Sequence, residues 1–157
     1  MIAPDFAAPL RGWRTWRVIE TPAGLRLCSV IYDEIWMPGQ PFRATCLAAG
    51  GGHDAPAAGC ECGIYASRDC AHVSRYLIGR NDPLIVHRVV GVVALWGGVF
   101  EGVGGWRAAF AYPDRLWVPD LAQADEIARQ LRAYGVPVAA IAARAGSGVS
   151  SAIAALS

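Results

Sequence analysis

Lysine is absent. All 14 basic residues are arginine, a bias that a genome rich in G and C produces by itself, so only a few of them can be read as chosen for bidentate or stacking contacts. Without lysine, none of the glycine clusters completes a phosphate-binding loop, which needs Lys-Ser/Thr. Net charge is scarce too. The arginines stand against 13 acidic residues, leaving +1, which removes any global electrostatic argument for nucleic acid. Long apolar runs are missing: Val89–Phe100 is broken by glycines and falls short of the roughly 20 residues a spanning helix needs, so no membrane partner is expected. The opening stretch MIAPDFAAPLRGWR lacks a basic segment followed by an apolar one and does not read as a signal peptide. A reducing, cytoplasmic setting is therefore expected, and the five cysteines point to metal ligation or burial rather than disulfides.

Hydrophobic residues make up 54% of the 157, and much of that is alanine. This length suits one domain with a real core. Short β-type segments dominate. Arg14–Glu20 (RTWRVIE) and Leu25–Ile31 (LRLCSVI) alternate on either side of a TPAG turn and read as a hairpin. Trp36–Gly39 is a second turn, and Pro41–Leu47 and Gly63–Ser67 (GIYAS) are short strand candidates. Arg68–Arg80 reads as a helical turn or two, with Val73, Tyr76 and Leu77 at 3,4 spacing. Val86–Phe100 has strand composition, with Gly91 and Gly97–Gly98 as bulges or close approaches. A turn at Gly104–Gly105 returns the chain along Trp106–Tyr112. Pro113–Asp114 reads as a turn before Leu116–Val118. Asp120 is the expected N-cap of a helix with a Leu121, Ala124, Ile127, Ala128, Leu131 stripe, stopped by Gly135 and Pro137. The expected fold is mainly β (α+β): a small β-barrel domain over residues 11–137 that includes helix 120–134, followed by an alanine-rich tail at 138–157, helical or disordered. Residues 1–10 read as a loose arm.

Soft metal ligands concentrate in residues 46–63, CLAAGGGHDAPAAGCECG. Cys46, His53, Cys60 and Cys62 form a C-x6-H-x6-C-x-C array that suits tetrahedral zinc. Gly59 and Gly63 permit the turn that aims two thiolates one residue apart at the same point. The glycines at 50–52 bury little area, so ordering this segment loses entropy with small hydrophobic return, which a metal would offset. Small buried thiols without metal remain the alternative reading, as does another metal. Cys70 and His72 are spare ligands. Cys28, within a strand, reads as core. Four filled protein positions would make such a zinc structural.

Catalytic constellations are sparse. Cys70 and His72 with Asp69 resemble nucleophilic machinery only by proximity in sequence. Asp33–Glu34 and Glu101 fit solvated turns as well as acid–base work. The six tryptophans are expected to be mostly core. Trp96 and Trp106 fall on the two arms of one hairpin with Arg107 beside them, a grouping suited to stacking on a base or clamping a peptide.

The stretch 63–112, with GIYAS and later VVGVVALWGGVF, resembles PUA-like domains of the ASCH type, with Ala66, Ser67 and Gly91 as positional matches. The resemblance implies a small PUA-like or SH3-like barrel whose strand ending in Ala-Ser lines a cleft that binds RNA or a modified base. Some members of that family hydrolyse amides on modified nucleosides. The cysteine-rich loop and the lack of a lysine at the cleft entrance depart from its pattern. The expected function is a non-catalytic binding module. It combines a structural zinc with an aromatic cleft of Tyr65, Ala66, Ser67, Trp96, Glu101, Trp106 and Arg107 for a nucleic acid or modified base. The alternatives are a small zinc-dependent or PUA-like amidohydrolase, with Glu61 or Glu101 beside a metal-bound water, and an assembly protein that buries its apolar tail against a protein partner.

Overall fold

β-forming segments are short in the sequence but long in space. The computed structural model describes residues 8–48, 50–78, 85–143 and 148–156. Its longest strands are β1 (Leu10–Thr21), β6 (Ile85–Glu101) and β7 (Gly105–Pro119). Between β1 and β6 lie β2 (Gly24–Cys28), β3 (Ile35–Trp36), β4 (Phe42–Arg43), β5 (Ile64–Ser67) and α1 (Cys70–Ser74), the last continued by a 3-10 turn at Arg75–Leu77. After β7 come α2 (Leu121–Leu131), a 3-10 turn at Arg132–Tyr134, β8 (Val138–Ile141) and α3 (Val149–Ala155). The molecule is mainly β with a C-terminal helix, as its composition implied. Among the described residues no helix is long and apolar enough to cross a membrane.

The hairpin at Thr21–Gly24 forms as the TPAG turn requires, with β1 and β2 antiparallel and Gly24 at φ 112°. β1 also pairs along its other edge with β6, from Leu10↔Leu95 to Ile19↔Ile85. β7 pairs with β6 across the 102–104 turn, with β5 and β4 near its start, and with β8 in parallel near its end. β5 touches β1 at Trp13↔Ser67, so β1 and β7 are each bonded to both β5 and β6.

Several expectations shift in detail. Residues 1–7 of the expected arm lie outside the described residues, and β1 begins already at Leu10. Pro113–Asp114 is not a turn between strands. β7 runs straight through it, and the register against β6 slips so that Val93 faces Pro113 and Val92 faces Arg115. A bulge tolerates the residue that cannot donate a ladder hydrogen bond. The same device at Gly97–Gly98, between Trp96 and Val99, matches the reading from sequence. Asp120 occupies the N-cap position of α2 but sits in the left-handed region (φ 68°), and its side chain caps nothing. The α2 stripe packs as expected, with Ala124, Ile127, Ala128 and Leu131 buried. Val138–Ile141, placed in the alanine-rich tail, forms a strand of the same sheet, and Val149 and Ile153 of α3 are buried. Gly79 and Arg80, at the end of the expected Arg68–Arg80 helical segment, lie outside the described residues together with 81–84.

The sheet is covered on both faces. One core joins Trp16, Val18, Leu27, Trp36, Leu95 and Leu116 to α2. The other joins Val90, Trp117, Val73, Leu77, Val149 and Ile153. This double burial explains why VVGVVALW reads as a continuous apolar run instead of an alternation. α2 and its 3-10 turn fasten onto β2: the Leu25 amide donates to Gln130 Oε1 at 2.9 Å and the Leu27 amide to the Tyr134 hydroxyl at 2.8 Å. The Tyr134 hydroxyl donates in turn to the Trp36 carbonyl. Burial, only partly countered by the Leu27 N–H, pushes this phenol up to about 12, so it stays a donor throughout the physiological range.

Candidate functional site

The long loop between β4 and β5 buries little apolar side chain, Ala44 and Ala55 being its buried residues among those described. Its order comes from polar contacts and from a cluster of thiols. Donor atoms of Cys46, His53, Cys60 and Cys62 all lie within 4.8 Å of one another. Cys46 Sγ is 3.7 Å from Cys60 Sγ, and His53 Nε2 is 3.4 Å from Cys62 Sγ. Four ligands at 2.0–2.3 Å from one ion in a tetrahedron stand about 3.3–3.8 Å apart, so these four are close enough to bind a metal ion. Cys60 is pushed down to about 7, first by the Cys62 backbone N–H and then by the neighbouring thiols. At Cys46 the Ala48 N–H pulls downward, but burial and the Cys60 and Cys62 thiols outweigh it and leave that thiol raised.

Arg107 holds the loop against β7. It donates to the Cys62 carbonyl at 2.7 Å and the Ala57 carbonyl at 3.1 Å, while its guanidinium stacks over Phe100 at 4.7 Å. The Tyr65 hydroxyl donates back to the Glu61 carbonyl. Gly63 closes the loop at φ 126°, a conformation that favours glycine. The spare ligands are elsewhere. Cys70 and His72 sit on α1, whose N-terminus is capped by Asp69 accepting from the Ala71 amide at 2.9 Å. Cys70 packs into the second core, and His72 lies against Arg75. Cys28 is buried, as expected of core, and burial raises its thiol.

An open groove of about 1250 Å³ runs beside the cluster. Cys60, Glu61 and Cys62 form part of its wall, with β1, the Ser29–Glu34 loop, residues 42–48, β5, α1 with its 3-10 turn and the tip of the β6–β7 hairpin making the rest. The structure brings Tyr65, Ala66, Ser67, Glu101, Trp106 and Arg107 to this groove and leaves Trp96 outside it, stacked on Phe110 with centroids 6.1 Å apart. The two tryptophans do share a hairpin, but Trp96 faces Phe110 across the strands and Trp106 faces Glu101, five register positions nearer the tip. Several of the gathered residues have internal partners. Ser67 Oγ donates to the Gly104 carbonyl and accepts from the Asp69 amide. Glu101 pairs with Arg68, whose guanidinium covers the Trp106 ring at 4.3 Å. Trp16, Trp36 and Trp117 are core.

No family model, curated protein or solved structure matches the chain.

One groove residue was not singled out in the sequence. Arg14 lies on the groove floor, reaching the Tyr65 carbonyl at 2.7 Å. Burial pulls its guanidinium down to about 10, with Glu34 partly offsetting this. The signal was present in RTWRVIE: alternation puts Arg14 in phase with Trp16 and Val18, which places a cation on a core-facing side.

Proposed function

We propose that the chain is a non-catalytic binding module in which Cys46, His53, Cys60 and Cys62 hold a structural zinc ion that shapes one wall of a ligand groove. The observation that carries this reading is the closed donor set, three sulfurs and one imidazole nitrogen within 4.8 Å. Zinc suits thiolate–imidazole tetrahedra. Four protein donors leave no position for the water that hydrolysis needs, and among the described residues no carboxylate joins the cluster. This weighs against the zinc-dependent form of the amidohydrolase alternative. A small barrel of PUA-like or SH3-like type belongs to the same reading, supported by the bonding of β1 and β7 to both β5 and β6. The five free cysteines fit a reducing, cytoplasmic setting. Burial of Val149 and Ile153 weighs against a protein partner docking on the C-terminal segment.

The ligand of this reading is a flat one, a nucleobase or modified base, and not a tracked strand. Among the described residues the arginines lining the groove are Arg14 and Arg107, and Glu34, Glu61 and Glu101 line it with them, so no basic stripe among these follows a phosphate backbone. Native mass measurement with cobalt replacement tests the metal. We expect one ion per chain and the absorption of a tetrahedral thiolate site; no bound ion, or a coordinated water that exchanges with added anions, would overturn the structural assignment. For the ligand, affinity for a short single-stranded RNA should fall by no more than about one log unit per log unit of salt. A steep dependence would refute the base-led mode.

A further inference from the structure

The groove floor holds a cation with incomplete partners. Arg14 Nη1 donates to the Tyr65 carbonyl, Nη2 reaches Ser29 Oγ at only 3.4 Å, and the guanidinium lies over Trp36 at 5.1 Å. Its Nε is buried without a hydrogen-bond partner. Ion pairs among the described residues use Arg11, Arg17, Arg43, Arg68 and Arg129, not Arg14. Glu34 acts on it only from beyond ion-pair range. The contrast with Arg17, three residues on, is direct: that side chain donates to the Ser29 and Tyr32 carbonyls, Cys28 Sγ and Asp33. Arg14 is half-buried with its Nε fully shielded, and a cation so placed costs free energy unless an anion or further acceptors meet it.

The surroundings narrow what that anion is. Ile31, Tyr32, Leu47, Tyr65, Tyr76 and Phe100 are large, exposed hydrophobic residues, and all line the same groove. Arg107, the other lining arginine, is committed to the carbonyls of the metal loop. Glu34, Glu61 and Glu101 add negative charge to the walls. A single negative charge on an apolar body meets one cation and a greasy rim there.

We propose that the groove binds a monocarboxylate with a flat apolar body, its carboxylate accepting from the Arg14 guanidinium and its body lying along the aromatic rim at Tyr65. This rests on the groove being the binding face and narrows its flat ligand to one that carries a carboxylate, a modified base with an acid group included.

Matched probes test it on the zinc-loaded full chain: 3-indolepropionate against 3-indolepropionamide, and 4-phenylbenzoate against 4-phenylbenzamide, followed by amide chemical shifts in NMR titrations. Each acid is expected to bind about tenfold or more tighter than its amide, since hydrogen bonds to charged groups are worth upwards of a tenfold factor. Shifts should cluster at residues 13–15, 29–34 and 63–67. Arg14→Gln should abolish the acid's advantage while leaving the amide's affinity in place. Arg14→Lys, which keeps the charge, should retain part of the advantage and serves if the glutamine variant does not fold. A peptide ending in phenylalanine, free or amidated, distinguishes a protein C-terminus from a free acid as the source of the carboxylate: acid preference in the peptide assigns the site to chain ends, and its absence restricts it to free acids. Acid and amide binding equally in the groove would overturn the carboxylate preference and leave the groove reading intact. Shifts from neither class, at millimolar probe, would sink the groove as a binding face.

Discussion

Cys60→Ser is expected to lower metal affinity by at least about 100-fold. Loss of an outer-shell partner alone costs 10–100-fold, and here a donor is removed from a set that has no spare. Cys60 stands 3.7 Å from Cys46, and Cys70 and His72, the only other soft ligands near it in sequence, lie on α1 outside the cluster. The β4–β5 loop has little buried apolar area of its own, so without the ion its order loses its main support. The rest of the sheet depends on it little: Trp16, Leu27, Leu95 and Leu116 pack with α2, and the loop adds to that core only Ala44, Ala55 and the edge of Cys62. Metal competition with a chromogenic chelator, hydrogen exchange over residues 45–63 and far-ultraviolet circular dichroism should thus report weak metal, fast exchange in the loop and a retained β spectrum. Cys70→Ser should keep the metal. Wild-type affinity in Cys60→Ser would remove that thiol from the site, and parallel loss in Cys70→Ser would mean that the effect is general destabilisation.

The second large effect is expected at Gly105. A Cβ built there would stand 2.0 Å from the Ala66 carbonyl oxygen and 2.9 Å from Ser67 Cα. Both are backbone atoms, so no side chain can swing aside. Ala66 is pressed from the other side too, since a Cβ on Gly12 would come within 2.7 Å of its own Cβ. Three strands, β1, β5 and β7, therefore converge on the floor of the groove at a spacing that only glycine and alanine allow. Gly105→Ala has to separate β5 from β7 and should destabilise the fold by about 3 kcal/mol or more, lowering Tm by roughly 6–12 °C for a domain of this size. Gly104→Ala is the control: it has open space around it and should stay within about 0.5 kcal/mol of the parent. Equal stability of the two variants in urea unfolding would contradict the strand spacing.

The metal cluster was legible because four soft donors in a glycine-rich segment have few other uses, and their spacing asked only that one loop fold back. The β1–β2 hairpin and the α2 stripe were legible for a similar reason, since turn chemistry and helical period are local. What escaped the sequence is non-local. β8 is an alanine-rich tetrapeptide whose strand character comes from lying parallel to Leu116–Pro119, a pairing that exists only once α2 has carried the chain back. Pro113 read as a turn because its tolerance inside β7 depends on a register slip against β6. Trp96 and Trp106 looked equivalent on a hairpin, and only the bulge and the positions of β4 and β5 separate one from the groove. Arg14 was half legible: its phase with Trp16 and Val18 puts it on the inward side, but that this side opens on a groove at Arg14 depends on β5 and the Ser29–Glu34 loop.

Cys60 and Cys62 belong at once to the donor cluster and to the wall of the groove, and Arg107 ties the Cys62 carbonyl to β7. Two binding events that share a wall are thermodynamically reciprocal. Whatever factor the ion contributes to the grip on a guest, the guest must return to the grip on the ion. On the proposed function, a cell that starves this chain of metal would also loosen its cargo, and cargo in abundance would help it keep the metal against competing chelators.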